Sequence, residues 1–335
     1  VKIFFNKISL ALALLTIFSA LSLPVAGAGV SYFGSDAEKI VTVEGLRSDV
    51  EHLCSPEFEG RAFGTAGGTK AAFCILDRFK SNNLKPYVSS FSLSEGRKGR
   101  NVIAYLKGAA TSSGRPRGIV IIAAKYDGIG MLDGVLYPGA DSNASGVAAL
   151  MTLSDMFAEV VKNGRKYPYD VLFVAVDGGQ AGNAGSKALY EDLRQSGIKD
   201  PDTGEALKLS RVELFVNLDI LGSTLSPLKS GREDFLMMLS DVKLEQNKLA
   251  LVNRNYGFNL ELAYDYYGSE SFTKMFFRRI GTQSIFLENG VSSVMFTSGI
   301  TMRTNKVSDT PDSLNYEIFR KRLLVIFHWL AARSY

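Results

Sequence analysis

Three aspartates close or follow apolar runs in this chain: Asp127 in AAKYDG, Asp141 in GADSNASG and Asp219 in FVNLDILG. Carboxylates at such positions can hold a cation or move a proton. Two more polar segments have the same Gly-rich character, VAVDGGQAGNAGS at 174–186 and TNKVSDTPDSL at 304–314. Several chemistries stay open on residue type alone. Asp127, Asp141 and Asp219 could hold one hard cation such as Ca²⁺. Ser142 or Ser145 with Lys125 could form a nucleophile–base pair. The chain has only 2 histidines, His52 and His328, and neither falls in these segments, so both read as structural.

The elements that must position these residues follow from apolar periodicity. Residues 43–53 and 68–80 read as helices, the second with Ala71, Ala72, Ile75, Leu76 and Phe79 on one face. VSSFSL, NVIAYLKG and GIVIIAAKYD read as strands, the last as one covered on both faces. A helix is expected over residues 145–162, a buried strand in YDVLFVAVDGG, a helix over 185–195 and a third buried strand in RVELFVNLDILG. Residues 235–245 read as helical, SSVMFTSG as a late strand and 316–330 as a closing amphipathic helix. Alternating strands and helices imply an α/β three-layer sandwich, with a mixed, mostly parallel central sheet and helices on both faces. In such folds sites lie beyond the carboxyl ends of the central strands, where the polar segments fall.

The five segments, in this order, resemble the zinc-dependent exopeptidase family, which includes secreted leucyl aminopeptidases, aminopeptidase Y and glutaminyl cyclases. The resemblance runs from about Ser55 to the end of the sequence. It implies two zinc ions bridged by a carboxylate, with a glutamate as general base. Carried over by position, the first zinc-binding histidine falls on Lys125, with Asp127 as its orienting residue. The bridging aspartate falls on Ser142, the residue after Asp141. The Glu-Glu pair, base then ligand, falls on Gly179-Gln180. The ligand Asp219 is kept, and the last histidine falls on Asn305. Four of five ligand positions and the base are therefore substituted. Protonated lysine has no lone pair, neutral Ser and Gln oxygens are poor substitutes for zinc carboxylates, and glycine cannot move a proton. The resemblance thus implies a degenerate member with no metal, no catalytic residue and no cofactor. The former metal-site cleft, Lys125, Tyr126, Asp127, Asp141, Ser142, Gln180, Asp219 and Asn305, is expected to serve binding. Lys125 is expected to fill the metal void and pair with Asp219 or Asp127. Relatives without peptidase activity include the transferrin-receptor ectodomain, nicastrin and nicalin, and GADSN.SG is particularly similar to nicalin's pattern. The expected function is a catalytically inactive peptidase-like module for an unknown peptide or protein ligand. The alternative is an active hydrolase with a rebuilt or non-zinc site.

Length and composition support a globular chain: 335 residues, 46% hydrophobic, 21% charged, net charge +4. The densest basic stretches, residues 96–100 and 115–117, lie in Gly/Ser/Pro-rich surroundings without interleaved aromatics, which argues against nucleic acid. Lys2 and Lys7 flank the start of an apolar run over residues 8–23, followed by Ala26-Gly27-Ala28. This pattern reads as a secretory signal over residues 1–28, leaving residues 29–335 as one domain in the periplasm or outside the cell. No later stretch reads as a membrane span. Export permits a disulfide between Cys54 and Cys74, the alternative being two buried thiols. Asn143-Ala144-Ser145 fits a glycosylation sequon only formally.

Overall fold

The computed structural model describes residues 36–93, 96–110, 112, 114, 117–224, 232–266 and 268–334. The segment read as an export signal lies outside the described residues. Strands β1 (Tyr87–Ser92), β2 (Lys98–Leu106), β3 (Ile119–Lys125), β6 (Asp170–Val176), β7 (Val212–Leu218), β8 (Phe235–Ser240), β9 (Glu261–Ala263) and β10 (Ser293–Thr297) form one sheet, ordered β1-β2-β6-β3-β7-β10-β8-β9. β6, β3, β7 and β10 are mutually parallel, while β2 pairs antiparallel with β6, and β8 with β10. A separate two-stranded hairpin, β4 (Gly130–Leu132) with β5 (Val135–Tyr137), turns at Asp133-Gly134. Both turn residues have positive φ, +51° and +77°, which suits the Asp-Gly dipeptide.

The helices are α1 (Val43–Leu53), α2 (Ala66–Ser81), α3 (Ser145–Lys162), α4 (Ala184–Arg194), α5 (Lys243–Asn255), α6 (Glu270–Arg279), α7 (Ser284–Glu288) and α8 (Tyr316–Ala331). Side chains alternate across the sheet as a strand's period of two requires. Leu172, Val174 and Val176 of β6 pack with Leu189 and Leu193 of α4 and Phe286 of α7. Phe173 between them points to the other face, against Phe79 of α2 and Phe157 of α3. Phe157 in turn meets Phe327 of α8. This is the expected three-layer sandwich, and the central parallel strands are buried on both faces.

One expectation is corrected. Residues 235–245 are not one helix: Phe235–Ser240 is β8, and α5 begins only at Lys243. The run FLMML has no period to separate helix from strand, and pairing against β10 and β9 decides it. The helical stretch Ala140–Lys162 is also long and apolar enough to cross a membrane by length and composition. Its apolar window is 83% buried inside the fold, because this helix packs between the sheet and its neighbours α1, α2 and α8. The two cysteines are free thiols, Cys54 buried and Cys74 partly so.

Candidate functional site

Strand β3 carries Lys125 to the carboxyl edge of the sheet, with Tyr126 and Asp127 just beyond it. Alternation turns Tyr126 inward: it is 1% exposed, and its hydroxyl donates to the Arg100 carbonyl at 2.8 Å. Tyr126 therefore does not line the cleft, contrary to expectation. Asp127 is fully buried and accepts the backbone N–H groups of Gly179 (2.7 Å) and Gln180 (2.8 Å). Burial pushes its carboxyl up to about 6 against those two donors.

The turn between β5 and α3 is the most heavily braced part of the site. Asn143 is fully buried and uses its whole amide. Its Nδ2 donates to the carbonyls of Lys125 (3.2 Å) and Leu218 (2.9 Å), and its Oδ1 accepts from the N–H groups of Gly146 (3.1 Å) and Ile220 (3.0 Å). One side chain thus fixes the ends of β3 and β7 against the start of α3, and the sequon asparagine is closed to glycan. The Asp141 carboxylate also faces inward, 2% exposed, accepting from the N–H groups of Gly222 (2.8 Å) and Ser223 (3.2 Å) and from the Ser145 hydroxyl (3.2 Å). It is a brace and not a cleft residue, a second correction to the expected binding set. Ser145 spends its hydroxyl on Asp141, and so is not poised as a nucleophile. Asp309 accepts the N–H groups of Asp141 (2.7 Å) and Ser142 (3.0 Å), and burial pushes its carboxyl up to about 6.

The positions that would carry metal are sparsely bonded by comparison. The Lys125 ammonium lies 3.6 Å from Asp219 Oδ1, with side-chain exposures of 17% and 7%. That oxygen is buried and accepts no hydrogen bond from any described residue. Ser142 donates its hydroxyl to Asn305 Oδ1 at 3.1 Å, and so does not offer that proton to Lys125. Gln180 and Asn305 are exposed at the rim. A Cβ at Gly179 would stand 3.0 Å from Lys125 Cδ and 3.0 Å from Asp127 Oδ1. A side chain at 179 would therefore require the lysine stem or the Asp127 carboxylate to shift by a few tenths of an ångström.

The site of two zinc ions can be tested on this donor set. The one carboxylate left at a ligand position faces an ammonium, and the facing groups are a hydroxyl and amides. Among the described residues, no three His, Cys, Asp or Glu side chains are grouped to hold a metal. The residues present do not fit zinc. Neither histidine contributes: His52 packs edge-on against Phe58, and buried His328 sits 2.7 Å from Glu38 over the Tyr256 ring.

Two fully buried arginines hold the surrounding loops, and both escape sequence reasoning. Arg61 donates to the carbonyls of Tyr126 (3.1 Å), Leu53 (2.6 Å), Pro138 (2.9 Å) and Gly139 (2.8 Å). Arg322 donates to the carbonyls of Phe235 (2.6 Å), Leu221 (2.7 Å) and Ser223 (2.7 Å) and to the Thr224 hydroxyl (2.7 Å). Burial pulls the Arg322 guanidinium down to about 10. A signal for Arg322 exists, since it lies three residues after Phe319 and four before Ile326, on the apolar face of α8. Arg61, in a Gly-rich connection, gives none.

Residues 101–329 match the sequence profile described as Peptidase family M28. The chain belongs to peptidase family M28. It is 32% identical over 192 residues to a protein of Danio rerio named BOS complex subunit ncln, covering 56% of this chain and 32% of that protein. The matched part thus spans about a third of that relative's length. In fold it is similar to BSAP, a zinc aminopeptidase from Bacillus subtilis, with a TM-score of 0.67 at 11% identity over 88% of this chain and 95% of that one. It is also similar to Fimbriiglobus ruber glutaminyl cyclase, with a TM-score of 0.64 at 16% identity over 87% and 95%. This M28 chain is a degenerate member: it keeps the family's fold with substituted ligand positions.

Proposed function

We propose that this M28 chain is a catalytically inactive, peptidase-like module that binds a peptide or protein through the cleft where active relatives hold metal. The observation that carries the reading is Lys125, whose ammonium stands 3.6 Å from Asp219 where the family pattern calls for a histidine ligand. A protonated amine repels a divalent cation and offers it no lone pair. Its stem also crowds position 179, where a Cβ would stand 3.0 Å from Lys125 Cδ. Lys125, Ser142, Gln180, Asp219 and Asn305 would then form the binding floor and rim. Asp127 and Asp141 would act as braces for it. A protein partner is supported by the matched relative, named as a subunit of a complex. Export is part of the same proposal, with residues 1–28 as signal and 29–335 as one domain in the periplasm or outside the cell.

Metal content and hydrolysis of aminoacyl-p-nitroanilides by the purified chain test this reading. The expected outcome is no stoichiometric zinc and no chelator-sensitive turnover. Two zinc ions per chain, with turnover lost to a chelator, would overturn it.

A further inference from the structure

The loop after β10, GITMRTNKVS at residues 299–308, joins the last strand of the sheet to the segment that carries Asp309. It exposes three apolar side chains, Met302 (94%), Val307 (49%) and Ile300 (44%). Between them lie Arg303 and Lys306, both exposed, and neither forms an ion pair with any described residue. Some exposed cations elsewhere are instead paired with a neighbour three residues away, as with Lys39 and Asp36, Lys80 and Asp77, or Arg194 and Glu191. The loop itself contains no acidic residue.

This loop is held in place by its own bonds. Thr301 N–H donates to Thr304 Oγ1 (3.0 Å), Arg303 N–H to Thr301 Oγ1 (3.2 Å) and Lys306 N–H to the Arg303 carbonyl (2.9 Å). Asn305, at φ +61°, reaches the Ser142 hydroxyl, and the Asp309 carbonyl accepts from Ala140 N–H at 3.1 Å. The apolar and basic groups are thus presented on a braced rim beside the cleft floor. On that floor the Lys125 ammonium donates no hydrogen bond to any described residue.

We propose that residues 299–308 form a docking surface for an acidic peptide segment carrying apolar side chains, supplied by a partner protein. The proposal rests on reading the cleft as a binding surface, and adds which rim and which chemistry. Carboxylates of the segment meet Arg303, Lys306 and Lys125, and its apolar groups cover Met302, Ile300 and Val307. Charge complementarity of this kind sets partner choice and encounter rate. The loop has no aromatic on which a nucleobase could stack. A flat anionic membrane would meet the exposed rim cations, whereas the Lys125 side chain is only 17% exposed.

The test is selection of a random peptide library on phage against the full chain, with binding remeasured on variants. Enriched peptides should be net acidic and apolar. Arg303→Glu with Lys306→Glu, and separately Met302→Ser, should each weaken them by at least about tenfold at unchanged thermal stability. Neutral or basic peptides, no enrichment, or binding indifferent to these variants would overturn the proposal. So would loop-dependent binding to phosphatidylserine-containing vesicles without peptide enrichment. Peptides lost on Lys125→Met but not on the loop variants would keep the cleft reading and remove this loop from it. Stoichiometric zinc with turnover would instead remove the cleft reading itself.

Discussion

The frame of the site and the positions inside it differ sharply in how their polar groups are satisfied. In the frame, Asn143 makes four hydrogen bonds, and Arg61 and Arg322 each hold at least three backbone carbonyls. At the expected ligand positions, Asp219 Oδ1 accepts no hydrogen bond among the described residues, and Lys125 stands 3.6 Å away. Groups that hold strand ends together must be fully bonded, because each orphaned buried polar atom costs about 1–3 kcal/mol. Asp219 Oδ1, buried and unbonded among the described residues, is the exception, with the Lys125 ammonium as its counter-charge. The contrast shows that the loops are held by the frame and not by the side chains at the ligand positions.

The largest effect should follow from breaking the frame. Arg61→Met removes the donor to four carbonyls, and Arg322→Met the donor to four carbonyls and a hydroxyl. Each should cost at least about 4 kcal/mol in urea unfolding, or leave the chain unfolded. A loss below about 1 kcal/mol in either variant would mean that the loops hold themselves, and the contrast would fail.

A side chain at 179 probes the other region. Gly179→Glu places a Cβ 3.0 Å from both Lys125 Cδ and Asp127 Oδ1. Overpacking of this kind should cost about 2 kcal/mol, and Lys125→Ala in the same chain should return much of it. If Gly179→Glu alone is neutral, Lys125 does not exclude the base. Combining Lys125→His, Ser142→Asp, Gly179→Glu, Gln180→Glu and Asn305→His in one chain is the stricter version, read by zinc content.

The layered fold is legible because its signals are local. The apolar run before Lys125, the helix from Ser145 and the closing helix all sit where periodicity puts them. β8 reads as helix because a short apolar run has no period to separate the two. The site is legible in part, since the substituted positions stand in segments that do converge. Tyr126 and Asp141 fall to the cleft by adjacency in sequence, but strand alternation and inward hydrogen bonding remove them. Arg61 is not legible at all: its partners lie up to 78 residues away, and a charge in a Gly-rich connection looks solvated. The Asp133-Gly134 hairpin has a local signal, since Asp-Gly is a strong two-residue turn, but its three-residue strands are too short to show alternation.

The Lys125–Asp219 pair tests whether the ammonium has any structural duty. Lys125→Met keeps the stem and removes the charge, leaving Asp219 buried without a counter-ion. It should cost about 1–2 kcal/mol, and Asp219→Asn in the same chain should recover most of that. A coupling near zero in this double-mutant cycle would show that Lys125 is free to serve a ligand alone. A coupling of about 1 kcal/mol or more would show that the pair also supports the fold.

The smallest effect concerns the carboxylates of the frame. Burial pushes Asp127 and Asp309 up to about 6, above the ordinary carboxylate value of 3.8. Both therefore take up protons at higher pH in the folded chain than in the unfolded one. Where the folded state binds more protons, stability rises as pH falls, so these two groups should add about 1 kcal/mol each between pH 7 and pH 5. Asp234 works in the opposite sense and lower down: hydrogen bonding, chiefly from Arg232, holds it at about 2, so its contribution is lost only as pH falls below about 4. Urea midpoints at the two pH values, in the native chain and in Asp127→Asn, measure the difference. The native chain should gain stability on acidification and the variant should gain less. Equal slopes would mean that the backbone N–H groups of Gly179 and Gln180 hold Asp127 ionised, and that its burial leaves no mark on the pH profile.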